Sequence, residues 1–454
     1  MGPTARLADF VVRSQSTAIP APILHEAKRT LINVLAVALA ASDDPSVDAL
    51  DAWGATEGAS SVIGRGSAGE AHAALVNGYL AHLQDYDDTH FPTVLHPSAP
   101  TWPAVLAAAE RTRASGAETL AAFAIGCEVA CRIALSVHPW HYDAGWHITG
   151  TVGAFGAAAG AARLLGLDEG RTAQALGLAG THAAGVRDAF GTNGKALHAG
   201  HAASSGLRAA WLVGRGFSGP DAILEGRRGF WAVLSPNGHS AAPIEALGDL
   251  VASGARWELQ NNGLKPYANG VVSHPLQDAV IELRNKYAIV ADDVRAIEAR
   301  VHPLVPELMG RAQPETGLQA KFSHQHCVAA ALIDGAGHEA QFHDEKARDP
   351  RIAAMRALVH ATPDAALGED EVHVTIRLAD GRAFTTHIEH ATGSPENPMS
   401  DAYLEEKYRA LATPVLGQPA AEALLRAAWA LDQAAGVRDL MLLASRPHPE
   451  HRRE

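Results

Sequence analysis

Apolar residues recur at intervals of three and four along the first 246 positions, a spacing typical of helices with one buried face. Segments with this spacing lie at residues 7–12, 23–41, 71–83, 104–114, 119–137, 153–165 and 202–213. Glycine and proline separate the segments, as at Gly166 and in residues 214–220. No alternation with a period of two interrupts them, so the pattern predicts helices throughout this part of the chain.

Alternating apolar and polar positions after residue 246 predict strands. Residues 371–378 alternate cleanly, and a second alternating run follows at residues 384–388. Asp380-Gly381 lies between the two runs, and Asp-Gly in that position indicates a hairpin. Residues 296–302 are predicted to form a further strand. Helical spacing occurs in the same region at residues 275–286 and 323–336.

Helical spacing resumes after residue 393, where residues 397–400 have the composition of a helix start. The simplest topology returns this last segment to the first group of helices. The predicted fold class is therefore mainly α. A large all-helical domain comprises residues 1–246 plus 394–454, and a second, smaller α+β lid domain comprises residues 247–393.

Composition and charge narrow the possible partners. The chain has 454 residues, of which 47% are hydrophobic and 19% charged, as expected for a globular protein. A formal net charge of −13 argues against a nucleic acid or an anionic membrane as partner. It does not exclude a small anionic substrate, because the local field of a pocket can oppose the global charge.

Three cysteines, the N-terminal segment and the apolar runs together predict a cytoplasmic protein. An odd, sparse set of cysteines fits a reducing compartment, and the N-terminus lacks the pattern of a signal peptide. The longest apolar runs, at residues 31–41 and 148–162, are shorter than the roughly 20 residues that cross a bilayer.

The densest group of reactive side chains lies in residues 85–97. Carboxylates crowded together are unfavourable unless they bind or react with something, so the segment is a candidate site. Metal binding is an alternative interpretation, but the spacing matches none of the usual metal motifs and no metal is predicted. The polar residues of the segment are Asp85, Asp87, Asp88, Thr89, His90 and His96.

Lysine usage singles out Lys195. The chain has seven lysines and thirty arginines, and Lys195 is the only lysine between Lys28 and Lys265. Lysine can lose its proton and act as a base, which arginine does not, so a rare lysine is a catalytic candidate. A solvated surface lysine is the alternative. The preceding turn, residues 191–194, is not a phosphate loop, because Ala196 replaces the required Ser or Thr.

Two further segments carry candidate chemistry. His147 ends an aromatic-rich stretch and precedes a small-residue helix, whose N-terminus would favour the neutral imidazole. Packing of an aromatic loop is the alternative. Lys265, followed by Pro266 and Tyr267, is placed where it could reach across a cleft between domains, although a solvated lysine remains open.

Several motifs together resemble the MmgE/PrpD family. They are residues 77–82 (NGYLAH), 85–90 (DYDDTH), 96–98 (HPS), 145–151 (GWHITGT), 195–200 (KALHAG), 224–230 (LEGRRGF) and 265–267 (KPY). The resemblance spans roughly residues 5–440, with the motifs in the order of the family. It implies a large helical domain with a smaller α+β domain, a homodimer, a site in the cleft between the domains, and neither a metal nor an organic cofactor.

The resemblance also implies the site residues. Carried over by motif, they are Asp85, Thr89, His96, His147, Lys195 and Lys265, and Tyr142 is a further candidate just before the GWH motif. We expect Lys195 and His147 to transfer protons, Asp85 to orient an imidazole and Lys265 to bind a carboxylate. Arg187 or Arg228 could supply a further cation for a substrate carboxylate.

The implied function is a cofactor-independent lyase that acts on a small di- or tricarboxylate. Dehydration of a 2-hydroxy acid, as in 2-methylcitrate dehydratase, is the first hypothesis. Epimerisation as in iminodisuccinate epimerase, decarboxylation as in cis-aconitate decarboxylase, a binding protein without activity and an iron–sulfur enzyme are the alternatives. Decarboxylation is disfavoured because the decarboxylase branch has a histidine at the position of Gly270 and a tyrosine near that of His326.

Overall fold

The computed structural model describes residues 1–250 and 256–445, and helices predominate in that part of the chain. The helices before residue 250 are α1 (Pro3–Arg13), α2 (Ala21–Ala41), α3 (Pro45–Gly54), α4 (Glu70–Leu83), α5 (Ser98–Thr112), α6 (Gly116–Val137), α7 (Trp140–Asp143), α8 (Ile148–Leu164), α9 (Glu169–Gly180), α10 (Asn193–Gly214), α11 (Phe230–Leu234) and α12 (Ala242–Glu245). The mainly helical fold class predicted from the sequence is confirmed.

Helices and strands alternate irregularly after residue 256. The helices are α13 (His274–Tyr287), α14 (Leu304–Leu308), α15 (Gly317–Ala320), α16 (His324–Asp334), α17 (Asp344–Arg348), α18 (Pro350–Arg356), α19 (Asp401–Leu416), α20 (Gln418–Trp429) and α21 (Arg438–Ala444). The strands of the described residues are β1 (Ser60–Ser61), β2 (Ser67–Ala68), β3 (Asp88–His90), β4 (Asn262–Leu264), β5 (Val294–Val301), β6 (Val359–Pro363), β7 (Val372–Leu378) and β8 (Ala383–Ile388).

Helix α8 lies at the centre of the helical part and packs against α5, α6, α9 and α10. Its glycines and alanines allow neighbouring backbones to approach closely. A Cβ at Gly156 would lie 2.9 Å from the Ala130 Cβ, and one at Gly206 of α10 would lie 2.5 Å from the Ala154 carbonyl oxygen. Small residues are therefore required here on both sides of the contact.

The main sheet has the strand order β6-β5-β7-β8. Strands β7 and β8 form the predicted hairpin, in which Arg377 is paired with Ala383 across the Asp380-Gly381 turn. The alternation of residues 371–378 is also confirmed, since Val372, Val374 and Ile376 are fully buried. Helices α13 and α16 contact the sheet and bury its apolar side chains in a second cluster of their own.

The short pair β3–β4 was not predicted, because three residues are too few to show a period. Asp88, Thr89 and His90 pair antiparallel with Leu264, Gly263 and Asn262. This pairing joins the segment that follows α4 to the segment that precedes α13. It therefore brings the two candidate segments of the sequence, residues 85–97 and 264–270, side by side.

The last helices return to the first ones. Helix α19 packs against α2, and its Leu404 and Tyr408 belong to the same apolar core as Leu31 and Leu35. The boundaries at residues 246 and 393 remain predictions.

Helix α6 is long and apolar enough to span a membrane by length and composition, but 94% of its most apolar window is buried inside the protein, as in a core helix.

Candidate active site

One small cavity between the helical part and the α+β part collects most of the predicted site residues. Its polar wall consists of Asp85, Thr89, His96, Tyr142, His147, Lys195 and Lys265. The apolar part of the wall consists of Val94, Phe190, Gly270, Val271, Val272, Leu308, Met309 and Phe322. The chemical roles of these side chains remain predictions, but the structure brings seven of the nine candidates together.

Helix ends and one tight backbone position place the polar wall. His147 is the residue just before α8, and Lys195 lies in the first turn of α10, where the Thr192 side chain accepts a hydrogen bond from the backbone N–H of Gly194. Lys265 directly follows β4. Asp85 follows α4 with a φ of 50°, a left-handed conformation that is uncommon for a non-glycine residue and that tends to occur at functional sites.

Two lysines share one carboxylate at the centre of the site. The Nζ of Lys195 lies 2.6 Å from Oδ1 of Asp85, and the Nζ of Lys265 lies 2.7 Å from the same oxygen. Burial alone would raise the pKa of Asp85, but the two ammonium groups outweigh it and hold that pKa well below its usual range. Burial lowers the pKa of Lys195, against the attraction of Asp85. The cluster carries one net positive charge, which suits an anionic substrate.

The expectation that Asp85 orients an imidazole is wrong, because within the described residues the hydrogen bonds to its side chain come from the two lysines and not from a histidine. Asp87 takes that position instead. Its Oδ2 accepts a hydrogen bond of 2.7 Å from Nδ1 of His82, and its Oδ1 lies 3.3 Å from Nδ1 of His96. His82 was overlooked as a candidate, although it ends one of the motifs that carry the family resemblance.

The hydrogen bonds of His96 fix its tautomer. Its Nδ1 donates to the backbone carbonyl oxygen of Asp88 at 2.6 Å, so Nδ1 carries the proton and Nε2 has a free lone pair. Burial lowers the pKa of His96, although nearby Asp87 opposes this. A neutral imidazole that lines the cavity with an accepting nitrogen has the properties of a general base.

His147 and Thr89 present polar atoms without partners. The Nε2 of His147 and the Oγ1 of Thr89 are buried and have no hydrogen-bond partner within the described part of the chain. On the other side of the ring, Nδ1 of His147 lies 3.0 Å from Nδ1 of His198. Burial, followed by the nearby His82 and Lys195, holds the pKa of His147 well below its usual range. Both unpartnered atoms are available to a ligand in the cavity.

Tyr142 lines the cavity, and Arg187 packs against its ring. The guanidinium of Arg187 lies 4.1 Å from the centre of the Tyr142 ring and 3.1 Å from Glu307 on α14. Arg187 is therefore near the cavity but engaged with Glu307, and it does not line the wall. Burial raises the pKa of Tyr142 to about 12, so its phenol retains its proton.

The structure does not bring Arg228 to the site. Its side chain is exposed, because the turn of residues 224–230 directs Leu224 and Phe230 into the core and leaves the arginines outside. The prediction of Arg228 as a substrate ligand is corrected accordingly. The remaining polar residues of the first segment hold the loop in shape: Asp88 accepts hydrogen bonds from Ser98 and Asn262, and His90 contacts Thr93 and Glu258.

Four of the clustered side chains could in principle surround a metal ion, namely His82, Asp85, Asp87 and His96. Their electrostatics argue against it. The carboxylate of Asp85 already binds two ammonium groups, which would repel a divalent cation. Asp87 is likewise engaged by two imidazoles. The donor set therefore fits a site whose cations are lysines.

The two positions that differ from the decarboxylase branch have distinct surroundings. A Cβ at Gly270 would lie 2.4 Å from Sδ of Met309, so methionine occupies the space that a larger residue at 270 would need. His326 does not line the cavity; its Nε2 donates to the carbonyl oxygen of Gln341.

Comparisons with known proteins agree with the motifs. The chain matches the MmgE/PrpD N-terminal domain over residues 5–241 and the MmgE/PrpD C-terminal domain over residues 267–433. Cis-aconitate decarboxylase of Homo sapiens is 29% identical over 394 residues, which cover 83% of this chain and 80% of that protein. The cis-aconitate decarboxylase-like protein oryM of Aspergillus oryzae is 26% identical over 476 residues, 97% of each chain.

Proposed function

We propose a specific reaction for this chain, which belongs to the MmgE/PrpD family and is a lyase: the cofactor-independent dehydration of a 2-hydroxy di- or tricarboxylate. The proposal rests on the protonation state and position of His96. A neutral imidazole with its lone pair free lines the same cavity as two buried ammonium groups. Dehydration requires such a base and such cations together.

The charge of the site supports a carboxylate substrate. Lys265 and Lys195 neutralise Asp85 and leave one positive charge, which can pair with a substrate carboxylate in the buried cavity. The unpartnered Oγ1 of Thr89 can donate a further hydrogen bond to that carboxylate. The apolar wall, with Phe190 and Leu308, would exclude water from the reacting carbon.

The elimination can be assigned to two groups. Nε2 of His96 removes the proton next to a substrate carboxylate, the carbon–carbon double bond forms and the carbon–oxygen bond breaks. The leaving hydroxide takes a proton from the Lys195 ammonium and departs as water. Lys195 thus keeps its predicted role in proton transfer. His96 replaces His147 as the second group, because a backbone carbonyl fixes the tautomer of His96, whereas Nδ1 of His147 contacts another imidazole. His147 then binds the substrate.

Decarboxylation is a second candidate, because the relatives named above are cis-aconitate decarboxylases. That reaction needs a proton donor but no base that removes a proton from carbon. The free lone pair of His96 therefore favours dehydration, and Met309 beside Gly270 marks a further difference in the cavity.

Proton NMR in deuterated water distinguishes the candidates. Citrate, methylcitrate, tartrate, cis-aconitate and aspartate-derived diacids are incubated with the protein, and the products are followed directly. The proposal is supported if a hydroxy acid disappears while an alkene appears, and if the protein also hydrates that alkene back to the hydroxy acid. Release of carbon dioxide from cis-aconitate supports decarboxylation, and deuterium uptake without an alkene supports epimerisation; either result overturns it.

The homodimer and the cytoplasmic location also belong to the proposal. The dimer rests on the family resemblance, and the location rests on the sparse cysteines, all three of which are free and buried. Sedimentation of the purified protein measures its oligomeric state, and fractionation of the source cells measures its location.

A further inference from the structure

A buried lysine of helix α19 contacts the backbone at Lys265 and at the residue that follows Asp85. Lys407 of α19 is 4% exposed, and its Nζ donates to three oxygens. These are Oδ1 of Asn33 at 2.7 Å, the carbonyl of Tyr86 at 2.8 Å and the carbonyl of Lys265 at 2.8 Å. The Nζ also lies 3.7 Å from the centre of the Tyr86 ring.

The partners of Lys407 are unusual for a buried lysine. Within residues 1–250 and 256–445, no carboxylate lies within ion-pair distance of its Nζ, and all three acceptors are neutral. Burial lowers the pKa of Lys407 well below its usual range, although nearby Asp87 opposes this, because a buried cation without an opposite charge in contact is unfavourable. Stability alone therefore gives a poor account of Lys407.

The two carbonyl groups connect Lys407 to the site. The side chain of Lys265 donates to Oδ1 and to the carbonyl oxygen of Asp85, while the carbonyl oxygen of Lys265 accepts a hydrogen bond from Lys407. Tyr86 directly follows Asp85, whose left-handed backbone needs support from its surroundings. Lys407 thus fixes the backbone on both sides of the Asp85–Lys265 contact.

We propose that Lys407 is a positioning residue, which holds Asp85 and Lys265 in the geometry that gathers both lysines on one carboxylate. It acts through backbone carbonyls and does not line the cavity. The kinetic part of this inference rests on the proposed function, while the structural part does not.

Lys407→Met removes the donors and keeps the approximate volume. We expect its KM to rise about tenfold and the pH profile of kcat/KM to shift, because Asp85 and Lys265 no longer hold their positions. The KM of Lys407→Gln, which retains two N–H donors, should lie between those of Lys407→Met and the wild type.

Tyr408→Phe is the matched control: it removes a buried hydrogen bond from the neighbouring residue to the carbonyl of Ala421, remote from the site. Its KM and pH profile should not change.

A purely structural role gives a different result. In that case kcat falls only with the folded fraction, while KM and the pH profile of Lys407→Met match the wild type, and the inference is overturned. A crystal structure of the variant decides the matter without any substrate. Separation of Lys265 Nζ from Asp85 beyond about 3.5 Å supports the inference. An unchanged Lys195–Asp85–Lys265 cluster refutes it, even if dehydration itself proves wrong.

Discussion

Asp85 accepts hydrogen bonds from two ammonium groups while its backbone holds a conformation that few side chains tolerate. The scarcity of lysine pointed to Lys195, and the motif pointed to Lys265. Their common partner could not be predicted, because the contacts join residues 110 and 180 positions apart in the chain. For the same reason the partners of the three carboxylates in residues 85–88 could not be predicted: lysines bind Asp85, an imidazole binds Asp87, and Ser98 and Asn262 bind Asp88.

Lys195→Ala should lower kcat by about 10²–10⁴-fold, because it removes the proposed acid from the elimination. Asp85 retains its contact with Lys265, so we expect the fold to persist. Turnover of the preferred substrate and the circular dichroism spectrum measure the two effects. The exposed Lys286→Ala is the control and should match the wild type. Full activity of Lys195→Ala would remove the central role assigned to this residue.

The proposed base predicts the pH dependence of the reaction. Since burial lowers the pKa of His96, the neutral form persists below pH 6.5, the usual pKa of histidine. We expect kcat/KM to stay constant as pH falls from 7.5 to 6.5 and to decline only under more acidic conditions. His96→Gln should lose this acidic limb together with most of its activity. A limb centred at or above pH 6.5 would contradict the assignment.

At the scale of the elements, the periodicity of the sequence predicted the long helices and the long hairpin strands, but it missed strands that are short or mostly exposed. The hairpin β7–β8 was predicted from alternation and a turn dipeptide. The pair β3–β4 contributes three residues on each side, and β6 is mostly exposed, so neither had a readable pattern. Yet β3–β4 aligns the two segments that supply Asp85 and Lys265, so the strands with the weakest signal do most to place the site.

The contact between α4 and α10 is another element that places the site, because Asp85 follows α4 and Lys195 lies at the start of α10. A Cβ at Gly200 would lie 2.3 Å from the carbonyl oxygen of Leu75. Gly200→Ala should therefore separate the helices, lower the free energy of unfolding by about 1–3 kcal/mol and reduce kcat/KM. Urea denaturation and steady-state kinetics measure both.

Gly214→Ala on the same helix is the matched control for this substitution. Gly214 is exposed, and a Cβ there would approach only the Leu167 side chain, at 3.3 Å. Alanine has the higher helix propensity, so we expect unchanged or slightly greater stability and unchanged activity. Equal effects of the two substitutions would show that close helix approach is not what positions Lys195.

At the scale of the whole molecule, the mainly helical fold class followed from the helical spacing of residues 1–246 and the alternation after them, while the boundaries at residues 246 and 393 remain predictions. The site did not follow in the same way. It assembles from the ends of α4, α7 and β4 and from the starts of α8 and α10, and Lys407 joins it from α19. Such convergence depends on tertiary packing, so only the family resemblance could anticipate it.

Buried histidines predict the response of the whole fold to acid. Burial lowers the pKa of His82 and His274 to about 3 and that of His141 and His326 to about 4. These four groups take up protons near pH 6.5 only after unfolding, so they destabilise the fold as pH falls. In the opposite sense, burial raises the pKa of two carboxyl groups, Asp88 and Glu128, to about 7.

The histidines outnumber these carboxyl groups, so unfolding takes up protons and acid should favour it. Each excess proton taken up on unfolding changes the free energy of unfolding by about 1.4 kcal/mol per pH unit, so this free energy should fall between about pH 6 and 5. Urea denaturation at several pH values measures the slope. A free energy of unfolding that is constant or rises towards pH 5 would contradict this balance.

The packing of α19 on α2 has a consequence for synthesis on the ribosome. Helix α2 ends at Ala41 and leaves the exit tunnel early. Helix α19, which covers part of its apolar surface, comprises residues 401–416 and leaves the tunnel much later. Until then the nascent chain carries an apolar helix that α4, α5 and α6 cover only in part, and Lys407 does not yet hold the carbonyl groups of Tyr86 and Lys265. We expect the helical core to be completed late in synthesis, and chaperones to cover the exposed part of α2 while the rest of the chain is made.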